Sequence, residues 1–123
     1  MLDTHVLIWS LAGELGRLGP EARRALSDPD AQVVVSAVVI WEIAIKRGLG
    51  KLEAPVDLLD RLKKAGVEFM SVTPEHADRV ASLPNLHRDP FDRLLIAQAD
   101  VEDATIVSTD EHVRAYGVRV LHL

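Results

Sequence analysis

Short apolar runs alternate along the chain with stretches whose apolar positions recur at helical spacing. Met1 to Thr4 reads as the end of a first strand. Pro20 to Leu26 forms a short helix, with proline in a first turn that has no use for its amide hydrogen. Val33-Val34-Val35 is a buried strand, and Val38 to Leu49 a helix that Gly48 or Gly50 can close. Pro55 to Ala65 is a second helix, with Leu58, Leu59 and Leu62 on one face and Gly66 at its end. Val67 to Val72 is a strand, and Thr73-Pro74 opens a helix to about Ser82. Asp89-Pro90 opens the longest apolar-faced helix, which runs to about Glu102. Thr105 to Ser108 is a strand, Asp110 to Tyr116 a short helix and Val118 to Leu121 a last strand. The run Val6-Leu7-Ile8-Trp9 belongs to the core by default and to a partner surface only second. With no repeat, linker or low-complexity segment, the pattern predicts one domain over residues 1–123, of α/β class with a mainly parallel sheet.

This topology sorts the acids by sheet edge. A strand of a βαβ unit ends at the upper edge, the next helix starts there, and ligands bind at that edge. Asp3 follows the first strand, Glu42 lies in the opening turns after the second, Asp92 in the first turn of the long helix, and Asp110 directly after the fourth strand. All four converge on one edge. Asp28, Asp30, Asp100, Glu102 and Asp103 fall at the opposite edge, so the clustering is selective.

Each acid also has a plainer reading. Asp3 can cap a turn, Asp110 and Asp89 can cap helices, and Asp92 at the third helical position suits the helix dipole. Glu42 resists such a reading. Its helix runs Val38-Val39-Ile40-Trp41-Glu42-Ile43-Ala44-Ile45, apolar on almost every side, so the carboxylate is expected to be buried and to need a partner. Lys46, four residues on, can supply an ion pair; three further acids at the same edge argue for a cation. Oxygen ligands without His-rich or Cys-rich spacing select Mg²⁺ or Mn²⁺ over zinc. Such ions serve phosphodiester hydrolysis by polarising the substrate and activating water.

Composition narrows the field by exclusion. The 123 residues include no cysteine, which removes disulfides, a thiolate nucleophile and a Cys-ligated zinc site, and suits a reducing cytoplasm. No apolar run approaches the length of a membrane span, and no basic segment precedes Leu2-Asp3 as a signal peptide would require. A net charge of −5 does not announce a nucleic-acid binder, although cations held in an acidic pocket change the local sign. The sequence carries neither a nucleophile elbow nor a Gly-rich phosphate loop.

In these segments the chain resembles the PIN-domain family, in particular VapC-type toxins of toxin–antitoxin systems. The resemblance rests on Leu2-Asp3-Thr4-His5, Val35-Ser36-Ala37 running into Trp41-Glu42-Ile43-Ala44-Ile45-Lys46, and Leu49-Gly50-Lys51-Leu52. It continues through Asp89-Pro90-Phe91-Asp92-Arg93-Leu94-Leu95-Ile96-Ala97-Gln98-Ala99 and Val107-Ser108-Thr109-Asp110, in order over nearly the whole chain. It implies a three-layer α/β/α sandwich and a divalent-metal-dependent endoribonuclease with its metal-site acids at Asp3, Glu42, Asp92 and Asp110. It further implies an RNA substrate, a homodimer, and inhibition by a cognate antitoxin. Three features depart from the family pattern. Only two residues precede Asp3: either the first strand is unusually short, which would bring the α-amino group close to the metals, or the true start of the chain has been lost. Ser108 stands where relatives often have Thr. Asp89 is an extra acid, read as helix cap first and support for a metal ligand second.

Around the acids, Thr4 and Ser108 can orient a carboxylate or bound water, or serve as ordinary turn hydroxyls. His5 reads as a polar loop residue. Lys46, Arg47, Lys51, Arg88 and Arg93 are candidates for holding RNA phosphates, with Arg93 best placed beside Asp92, although a solvated surface explains all five equally well. Trp9 and Trp41 suit core or dimer contacts; one Tyr and two Phe are too few for a stacking platform. The competing function is a catalytically silent PIN-like module that binds RNA or protein. A phosphoacceptor receiver domain fits poorly, because no lysine ends the last strand at Leu121-His122-Leu123.

Overall fold

The central element of the sheet is the first three residues of the chain. In the computed structural model, which describes residues 1–122, the Leu2 amide donates to the Val34 carbonyl (3.2 Å) on one side. On the other, the Asp3 amide donates to the Val107 carbonyl (3.1 Å) and the Val107 amide to the Met1 carbonyl (2.8 Å). These bonds join two parallel pairs, β1 (Val34–Ser36) with β2 (Glu68–Met70) and β3 (Ile106–Ser108) with β4 (Val120–His122). The order across the sheet is therefore β2, β1, residues 1–3, β3, β4, and the Leu2–Val107 pairing is parallel as well. Met1, Leu2, Val35, Ile106 and Val107 are buried in the core, as a sheet covered on both faces requires. Leu123, the last residue of the expected domain, lies outside the described residues.

Seven α-helices among the described residues flank this sheet: α1 (Thr4–Leu11), α2 (Pro20–Ser27), α3 (Ala37–Gly48), α4 (Leu58–Lys64), α5 (Pro74–Arg79), α6 (Pro90–Val101) and α7 (Glu111–Arg114). α6 packs on both α3 and α5. α1, α2 and α4 instead gather around an apolar hollow lined by Leu7, Leu11, Leu26, Leu62 and Val67. The sheet between the two groups makes the expected three-layer α/β/α arrangement.

Two features differ from the pattern expected. The Val6–Trp9 run is the body of α1, which begins immediately after Asp3. Its Val6 and Leu7 are fully buried, whereas Ile8 and Trp9 pack at the margin of the core. The helix expected from Pro55 begins only at Leu58, because Pro55 to Asp57 forms a turn that leaves Val56 89% exposed. The remaining elements lie within a few residues of their expected bounds.

Candidate metal centre

The upper edge is built from strand ends and helix starts, and each of the four acids sits at such a junction. Asp3 caps α1: its Oδ1 accepts from the Val6 amide at 2.9 Å. Asp110 caps α7, its Oδ1 accepting from the His112 amide at 2.9 Å. Asp89 caps α6 by accepting from the Phe91 and Asp92 amides, which fixes the turn that carries Asp92. Glu42 rises from the second turn of α3, whose own cap is Ser36. The plain capping reading is thus correct for three acids and does not compete with the other. A capping carboxylate is held by its bond to the helix amide at the very edge where ligands bind.

Asp3, Glu42, Asp92 and Asp110 line one cleft of about 340 Å³, together with Thr4, His5, Lys46, His87, Asp89 and Thr109. Glu42 is buried, and both of its oxygens are engaged. Oε1 accepts from Thr4 Oγ1 at 2.6 Å, and Oε2 is paired with Lys46 Nζ at 2.5 Å. His87 Nε2 lies 3.2 Å from Asp92 Oδ2 and 3.5 Å from Asp110 Oδ2. The Asp89 amide donates to His87 Nδ1 (3.2 Å), which leaves the ring proton on Nε2, directed at the two carboxylates. Lys46 and His87 therefore stand where negative charge is densest.

Burial raises the Asp3 carboxyl above its ordinary range, against hydrogen bonds from Ser108, Val6 and Thr109. Asp92 is pushed up to about 7, first by burial and then by the charges of Asp89, Glu42 and Asp110. For Asp110 burial acts upward, but hydrogen bonds from His112 and the neighbouring imidazoles outweigh it and leave the carboxyl lowered. Lys46 is raised, chiefly by its bond to Glu42. Burial is the first cause of the Asp92 shift, and the neighbouring carboxylates add to it, so the cleft disfavours a further negative charge at this position.

Ser108 is fully buried at the end of β3, where its hydroxyl accepts from the Asp110 amide (3.0 Å) and holds Asp3. Arg93 is not brought to the cleft. Its guanidinium turns away to the Pro84 and Val80 carbonyls and the Tyr116 hydroxyl, fastening α6 to the loop before it. Arg47 likewise bonds the Pro55 carbonyl. The α-amino group, expected near the acids, bonds the Thr105 carbonyl (2.7 Å) before β3, at the opposite edge. His87 and His112 were not anticipated. The only sequence signal was their position, His87 just before the Asp89 cap and His112 two residues after Asp110. The acids of the other edge are engaged elsewhere, Asp100 with Arg79, Glu102 with His76 and Asp103 with Arg119.

The donor set suits a hard divalent cation. It offers carboxylate oxygens from four separate elements, and such an ion would stabilise the ionised form of Asp92, which burial and then the neighbouring acids disfavour. Comparison with known proteins bears on the whole arrangement. The family model described as PIN domain matches residues 1–118. The chain belongs to the PIN-domain family. Among solved structures, this PIN domain is similar to a chain in the crystal structure of VapBC2 from Rickettsia felis bound to a DNA fragment from their promoter. That likeness has a TM-score of 0.71 at 16% sequence identity and covers 99% of this chain and 96% of that chain. At such identity it speaks for the fold. No curated protein sequence matches.

Proposed function

We propose that this PIN domain is a divalent-metal-dependent endoribonuclease and the toxin of a toxin–antitoxin pair. The observation that carries the reading is the convergence of Asp3, Glu42, Asp92 and Asp110 on one cleft. These four would hold Mg²⁺ or Mn²⁺, which when bound supplies polarisation of an RNA phosphodiester and acidifies the attacking water. Thr4 orients Glu42, Ser108 orients Asp3, and Asp89 sets the turn that presents Asp92. Lys46 places a positive charge on the cleft wall that suits an RNA phosphate.

The PIN family and the likeness to a chain of VapBC2 support the toxin reading, with an antitoxin as partner, and we add a second copy of the chain as a further proposed partner. Trp41 and Ile45 on α3 and Leu49 at its C-cap form an exposed apolar row, suitable for covering by either. No helix among the described residues is long and apolar enough to cross a membrane, and the reading places the protein in the cytoplasm.

The test is cleavage of a structured RNA with Mg²⁺ or Mn²⁺ by the wild-type protein and Asp92→Asn. The substitution should slow cleavage by about a hundredfold or more. Equal rates in both proteins, unaffected by EDTA, would reject the mechanism, and no cleavage by either would favour a catalytically silent binding module.

A further inference from the structure

At the rim of the carboxylate cleft the donors change from oxygen to nitrogen. His87, Asp110 and His112 each direct one ligand atom inward, and those atoms lie within 4.8 Å of one another. His112 Nδ1 is 2.9 Å from Asp110 Oδ1, and His87 Nε2 is 3.5 Å from Asp110 Oδ2. The two imidazole rings are tilted at 52° to each other with centroids 5.3 Å apart. We propose that His87, Asp110 and His112 form a second cation site, for a borderline first-row transition ion such as Zn²⁺, sharing only Asp110 with the cleft acids.

The chemistry separates the two sites. Mg²⁺ takes oxygen ligands, whereas imidazole nitrogen suits zinc. Tetrahedral zinc with bonds of about 2.0–2.1 Å places its ligand atoms roughly 3.3 Å apart. Both histidine–Asp110 distances sit near that value but run to different oxygens, so the carboxylate must turn or bind through both oxygens as the two imidazoles approach. His112 is free to do so, its side chain being 70% exposed. Coordination through His87 Nε2 moves that ring's proton to Nδ1 and gives up the bond from the Asp89 amide and the Nε2–H contact with Asp92. The loss of these two contacts is smaller than the binding free energy of an imidazole-held zinc. Occupation commits Asp110, so zinc should antagonise RNA cleavage. That consequence rests on the nuclease reading; the site itself does not.

The experiment is a zinc titration of the full chain at fixed pH without Mg²⁺, followed by the imidazole ¹⁵N resonances and by competition with a chromophoric chelator. Shifts at His87 and His112, with buried His76 unmoved, are expected. His112→Ala should weaken zinc binding by about tenfold or more while keeping the wild-type melting profile without metal. Zinc binding within twofold of wild type in His112→Ala, or resonance shifts confined to other histidines, would overturn the site. Zinc coordination by these two imidazoles in a protein that cleaves no RNA upholds the site and defeats the nuclease reading instead.

Discussion

Thr4 Oγ1 lies 2.6 Å from Glu42 Oε1, so the first residue of α1 is bonded to a buried carboxylate on α3. The bond crosses the cleft wall and gives Thr4 a task beyond that of a turn hydroxyl. Thr4→Val keeps the shape but withdraws the donor, leaving a buried oxygen unpaired. The expected loss of stability is about 1–3 kcal/mol in urea unfolding with EDTA present. Thr4→Ser should stay near wild type. A valine variant as stable as wild type would show that Glu42 does not need this bond.

Lys46 is the built-in counter-charge of Glu42, one buried partner and one that reaches solvent. Lys46→Met leaves the carboxylate without its cation and should destabilise the metal-free protein by about 1–3 kcal/mol. The proposed divalent ion acts on the same excess of negative charge. Saturating Mn²⁺ should therefore raise the melting temperature of Lys46→Met by more than that of wild type. Equal increments in the two proteins would mean that the lysine and the metal address different charges.

Gln98 reaches from α6 to the end of β1. It is fully buried, its Oε1 accepts from Ser36 Oγ, and its Nε2 donates to the Ser71 carbonyl at 3.3 Å. Ser36 in turn caps α3, so this amide ties the helix that carries Asp92 to the helix that carries Glu42. Gln98→Leu conserves approximate size but strands the Ser36 hydroxyl and the Ser71 carbonyl. A destabilisation of about 2–4 kcal/mol is expected, summed over two unpaired groups, together with weaker Mn²⁺ binding by electron spin resonance. Unchanged stability would remove the amide from the set of contacts that align the two acids.

The edge of each acid was legible from topology: Asp3, Glu42 and Asp110 follow strands, Asp92 opens a helix descending to the next strand, and Asp100, Glu102 and Asp103 end that helix. α1 was not legible. Val6 to Trp9 is apolar throughout, which blurs helical periodicity, and its start is encoded by Asp3, a residue already accounted for as the end of a strand. Arg93 illustrates the other failure. Adjacency to Asp92 in sequence put it beside the cleft, yet neighbouring helical residues point about 100° apart, and three acceptors on the far side claim its guanidinium. His87 lies in the loop between Leu83 and Asp89, where no periodicity fixes a side chain's direction. Only coordinates could direct its ring to Asp92 and Asp110.

The proton on Asp92 gives the last prediction, and its sign follows from the direction of the shift. Asp92 is raised from 3.8 to about 7, first by burial and then by Asp89 and Glu42. Between pH 4 and 7 the folded protein keeps a proton that the unfolded chain has lost. Without metal, stability should therefore fall as pH rises across that window and level off above it. Asp92→Asn removes this slope and should be more stable than wild type at pH 8, by about 1–3 kcal/mol once partial exposure is allowed for. Metal binding runs the other way, because an ion competes with the proton for the same carboxylate. Mn²⁺ affinity should climb by about tenfold per pH unit approaching 7 and flatten beyond it, with cleavage following the same curve. An affinity constant from pH 5.5 to 8 would take Asp92 out of the ligand set.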